Sequence, residues 1–124
     1  MNATTFAQKG YAATAAPVRT HRGAEYLVFQ KVTSSLSKAM HSSSTKAQQA
    51  EALHDNRRLW SALAVDLASD ENQLPQTLRA QLFYLAEFSL LQSAKALQEP
   101  QALGILIEIN KSVMRGLHES QENP

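Results

Sequence analysis

Residues able to do chemistry are present in this chain, but their spacing does not bring them together. The histidines are His21, His41, His54 and His118, and they fall near expected helix ends or on exposed faces. No His-x-x-x-His pair occurs, the spacing that sets two metal ligands on one helix face. His54 and Asp55 are neighbours, and adjacent residues of a helix point away from each other. The cysteine count is zero, which removes disulfides, thiolate nucleophiles and Cys-ligated metal sites. Serines are many, yet none sits in the Gly-x-Ser-x-Gly elbow of a serine hydrolase. Gly23, Gly104 and Gly116 stand alone, so neither a P-loop nor a dinucleotide-binding glycine turn can be assembled. The expectation is a protein without a catalytic site, a cofactor or a metal.

Two polar residues stand out for where they fall. The helical stripe 53, 56, 60, 63, 67 is apolar except at Asn56, and the stripe 103, 106, 110, 113, 117 is apolar except at Asn110. A buried amide without partners costs about 1–3 kcal/mol, so both must find hydrogen bonds. One reading is a structural polar link that fixes how two helices align. In the other, Asn56 and Asn110 join Arg57, Arg58 and Glu108 as the polar core or rim of a binding site, with Arg57 lying partly over the core-facing side.

These residues need helices to position them, and the chain supplies the pattern. Apolar residues recur at spacings of three and four between polar breaks, and no stretch alternates long enough for a strand. Pro17, Ser42–Thr45, Asp70–Gln73 and Pro100 punctuate the sequence. Five helices are expected, at about 2–15, 22–41, 46–69, 75–98 and 101–116. Thr45 or a neighbouring Ser caps the third, and Pro75 starts the fourth. The fold class is all-α: a small single-domain helical bundle over residues 1–124, with 1–16 as a separable first helix and 118–124 as a frayed polar tail.

The chain has 124 residues, 44% of them hydrophobic and 19% charged, a globular composition. It shows neither a secretory leader nor an apolar run of membrane-spanning length, so a cytoplasmic protein that leaves the membrane alone is expected. Net charge is +1, divided as +5 over residues 1–58 and −4 over 59–124. That asymmetry either packs helices of opposite sign together or offers a basic face to RNA or an acidic partner.

The fourth helix is apolar on nearly every side. Leu78, Leu82 and Leu85 form one stripe, Phe83, Ala86, Leu90, Ala94 and Leu97 a second, and Tyr84, Phe88 and Leu91 a third. Such a helix is either central in its bundle or keeps a face for a partner. The groove expected on the second reading is made by Phe83, Tyr84, Phe88 and Leu91, with Phe6 and Tyr11 of the first helix as a movable wall. The same apolar surplus would equally close a homodimer.

Specific strings carry a resemblance. They are Arg22-Gly23-Ala24-Glu25-Tyr26, Asn56-Arg57-Arg58-Leu59-Trp60, Asp66-Leu67-Ala68, Asn72-Gln73-Leu74-Pro75, Leu78-Arg79-Ala80-Gln81-Leu82, Leu106-Ile107-Glu108-Ile109-Asn110-Lys111 and Met114-Arg115-Gly116-Leu117. In order and spacing they resemble the FlaF family of alphaproteobacterial flagellar biosynthesis proteins, over about residues 6–117. The resemblance implies an all-helical cytosolic protein required for flagellin production and flagellum assembly. By the same resemblance it would act on flagellin as an export chaperone, or on flagellin synthesis together with the partner FlbT. A regulator touching flagellin mRNA is the alternative, supported by Arg19, Arg22, Lys31, Lys38, Lys46, Arg57 and Arg58.

Overall fold

The structure is a computed structural model that describes residues 18–122, with side chains described for 25–116. Four helices make up the described residues: α1 (Val18–Ala39), α2 (Lys46–Ala68), α3 (Gln76–Ala96) and α4 (Ala102–Glu122). They correspond to the second to fifth expected helices. The expected first helix, with Phe6 and Tyr11, lies outside the described residues. α1 starts directly after Pro17, and α4 runs through Gly116 to Glu122, past its expected end. Gly116 lies inside α4 without a positive φ, and the space a side chain would take there is open.

The helices form a ring. α1 packs on α2 and α4, and α3 packs on the same two, so α1 faces α3 across one diagonal and α2 faces α4 across the other. The connections are short, which makes sequential helices antiparallel neighbours. Each turn is secured by side chains. Thr45 and Gln48 form a capping box: Gln48 N–H donates to Thr45 Oγ1 at 3.0 Å, and Thr45 N–H donates to Gln48 Oε1 at 2.7 Å. Between α2 and α3, Asn72 Nδ2 donates to Asp66 O at 3.3 Å and to its Oδ1 at 3.2 Å, while Asn72 Oδ1 accepts from Leu74 N–H at 3.0 Å. Arg79 then reaches back from α3 and donates to the carbonyls of Leu67 and Ser69. A cation is thereby set where the C-terminal carbonyls of α2 lack helical partners. Lys46 Nζ does the same for α3, donating to Leu97 O at 2.8 Å. Pro75 is the residue before α3 rather than its first residue.

Burial follows the expected stripes, and the core divides in two. One apolar cluster gathers Leu36, Ala39, Leu53, Ala96, Leu103 and Leu106 at the end where α4 begins. The other gathers Phe29, Val32, Leu59, Trp60, Leu63, Leu67 and Ala86, with Leu82, Phe83, Ile109 and Val113 packed against it. The Phe29 and Trp60 rings meet edge to face, centroids 5.7 Å apart. Each cluster draws on all four helices.

Candidate functional site: a buried polar layer and an exposed helix face

Between the two apolar clusters lies a layer of polar side chains. Asn56, Asn110, Ser89, Ser93 and Thr33 are all buried there. Four of them belong to α2, α3 and α4 and are joined into a chain by hydrogen bonds. Its direction is set by Trp60, whose indole N–H can only donate. It donates to Asn110 Oδ1 at 2.9 Å. The other end of that amide, Asn110 Nδ2, donates to Asn56 Oδ1 at 2.8 Å. Asn56 Nδ2 then faces Ser93 Oγ at 3.5 Å, and Ser93 Oγ–H donates to the Ser89 carbonyl at 2.8 Å. The bonds run head to tail, so each polarises the next. α2 and α4 are diagonal to each other, and long amide side chains bridge the distance that their backbones do not.

Asn56 and Asn110 are completely buried and bonded to each other, so they link α2 to α4 and do not line an open surface. The residues grouped with them from the sequence are elsewhere: Arg57, Arg58 and Glu108 are exposed. Arg57 follows the buried Asn56 by one residue, and a single step around a helix of 3.6 residues per turn carries it off the core face. Trp60 was read from the sequence as a core residue, and its role as donor to Asn110 was missed. The buried hydroxyls Ser89 Oγ and Thr33 Oγ1 have no partner.

The groove residues also separate. Phe83 turns inward and packs against the Trp60 cluster. Tyr84 and Leu91 point out, 60% and 65% exposed. Phe88 is half-buried between them on the same stripe. Leu78, 41% exposed, extends this apolar surface toward the start of α3. A shallow open depression lined by Ala80, Gln81, Tyr84 and Leu85 lies along it. Among the described residues α3 has two neighbouring helices, and its outer side is apolar with Glu87 and Lys95 as its exposed charges.

For metal or acid–base chemistry the described residues offer little. Glu51 and His54 on α2 have the Glu-x-x-His spacing, which the sequence reading overlooked, and both are exposed. Among the described residues no group of three or more His, Asp or Glu side chains is arranged to hold a metal ion. No helix among them is long and apolar enough to cross a membrane.

No curated protein and no solved structure matches the chain. The family model for flagellar protein FlaF matches residues 7–117. That span contains the Asn56–Trp60–Asn110 layer, the Asp66–Asn72–Arg79 turn and the outer face of α3. The chain belongs to the FlaF family of flagellar proteins.

Proposed function

We propose that this protein is a non-enzymatic flagellar biosynthesis factor that binds flagellin and supports its synthesis or secretion in the manner of an export chaperone. The observation that carries this reading is the outer face of α3, where Tyr84 and Leu91 stand in solvent with Phe88 between them. Soluble proteins seldom leave large apolar groups in one row without a use for them. An amphipathic helix recognises such a row through its own residues at spacings of three and four. Flagellin termini suit this mode, being helical in pattern and in need of cover before assembly. The layer beneath links α3 to α2 where Asn56 Nδ2 meets Ser93 Oγ and, through Asn56, to Asn110 of α4. The reading places the protein in the cytoplasm, with FlbT as a further partner. Calorimetry with purified flagellin tests it: binding in the micromolar range is expected, and no heat at tens of micromolar overturns it.

A second reading has one observation in its favour: Lys31, Lys38, Lys46, Arg57 and Arg58 are all exposed on α1 and α2. Direct contact with flagellin mRNA through these cations would weaken steeply with added salt. Gel shifts at about 50 mM salt that show no complex exclude it.

A further inference from the structure

We infer that the outer face of α3 also takes a second copy of this chain, laid antiparallel about a two-fold axis at Leu91, so that self-association and flagellin binding exclude each other. The inference rests on the reading of that face as a binding surface and adds its occupant when flagellin is absent. α3 carries three charged side chains. Arg79 is turned to the Leu67 and Ser69 carbonyls at the end of α2. The other two, Glu87 and Lys95, are exposed and opposite in sign. They lie four residues before and four residues after Leu91, which at 65% is the most exposed large apolar side chain among the described residues. Four residues of helix make one turn plus about 40°. Glu87 and Lys95 therefore flank Leu91 on opposite sides of the face, each about 6 Å from it along the axis.

That placement is self-complementary. A two-fold axis through Leu91 sets Glu87 of one copy level with Lys95 of the other, and does so twice, because an isologous contact repeats every pairing. Leu91 meets its own counterpart at the axis, and the half-buried Phe88 comes level with the small, exposed Ala94. Repulsion fixes the register as firmly as attraction does. Sliding the copies until Tyr84 meets Leu91 brings the two Glu87 carboxylates together inside an apolar contact, which disfavours that alignment. A helix of 21 residues offers a face about 32 Å long and about 10 Å wide, so the contact falls below the ~1,200 Å² at which standard interfaces begin. The dimer is accordingly a weak one, and a flagellin helix of higher affinity takes it apart.

Sedimentation velocity of the full chain tests this, on the parent and on Glu87→Lys and Lys95→Glu, alone and mixed, each variant first shown to melt with the parent. Over about 5–500 μM the parent is expected to pass from monomer to dimer, with a dissociation constant on the order of 10–300 μM. Each single variant sets like charges level twice and dimerises at least about tenfold more weakly. An equimolar mixture of the two variants restores both opposite-charge pairs and associates within about threefold of the parent. A parent that stays monomeric at the highest concentration, single variants that associate as the parent does, or a mixture no stronger than its components overturns the inference. So does flagellin that binds without dissociating the dimer. Flagellin binding by a monomeric parent overturns it while leaving the proposed function standing. A charge-complemented dimer that binds no flagellin overturns the proposed function and leaves self-association standing.

Discussion

Replacing Asn110 with Leu keeps the heavy-atom count and the branching of the side chain but removes every polar contact it makes. Two buried groups are then stranded: the Trp60 indole N–H, which loses its acceptor at 2.9 Å, and Asn56 Oδ1, which loses its donor at 2.8 Å. At about 1–3 kcal/mol for each unsatisfied group, Asn110→Leu destabilises by roughly 2–6 kcal/mol. Asn56→Leu strands chiefly the Asn110 Nδ2 donor, since its own bond to Ser93 is long at 3.5 Å and Ser93 keeps the Ser89 carbonyl. Its cost is therefore smaller, about 1–3 kcal/mol. In the double variant the amides vanish together and only the Trp60 N–H is left unpaired, a loss of about 1–3 kcal/mol, with two leucines joining the apolar clusters above and below. The double variant is thus expected to be more stable than Asn110→Leu alone, so a second substitution in the core rescues the first. Urea unfolding followed by far-ultraviolet circular dichroism measures all four proteins. Additivity within about 0.5 kcal/mol would refute a shared network. So would an Asn56→Leu variant that is less stable than Asn110→Leu.

Other substitutions separate platform from surface. Phe83→Ala is expected to lower stability by about 1–3 kcal/mol, as a half-buried ring leaves the Trp60 cluster, whereas Tyr84→Asp and Leu91→Asp leave the melting midpoint within a few degrees of the parent. Arg79→Met removes the donor to the Leu67 and Ser69 carbonyls and should destabilise by about 1–2 kcal/mol, with hydrogen exchange rising first in the α2–α3 turn. Thr45→Ala abolishes the capping box and is expected to cost about 1 kcal/mol in a denaturant melt.

Much of this architecture was visible in the sequence because the helix period is a strong signal. Leu53, Trp60, Leu63 and Leu67 are buried as their spacing implied, and Phe29, Val32, Leu36 and Ala39, three and four residues apart on α1, are buried too. Asn56 and Asn110 were conspicuous for the same reason: each breaks an otherwise apolar stripe. What period alone does not encode is how the helices are arranged around the bundle. α3 has apolar residues on all sides, so its sequence cannot say which side faces a neighbour, and Phe83 and Tyr84 looked equivalent until the ring order turned one in and one out. Arg57 was misplaced by one step of helical rotation. The strings that carried the family resemblance turn out to hold structural side chains: Asn56, Trp60, Asp66, Asn72, Arg79 and Asn110 build the polar layer and one turn. The face proposed to meet a partner is marked by nothing more specific than exposed apolar residues.

The most direct test of the account is calorimetry with purified flagellin on the parent protein and on Leu91→Asp, each first shown to have the same thermal midpoint. The account predicts micromolar binding by the parent and at least a tenfold weaker association for Leu91→Asp, since a carboxylate then replaces the most exposed apolar group of the row. Equal affinity of the two proteins for flagellin would contradict the assignment of the α3 face, and no binding by either would contradict the proposed function itself.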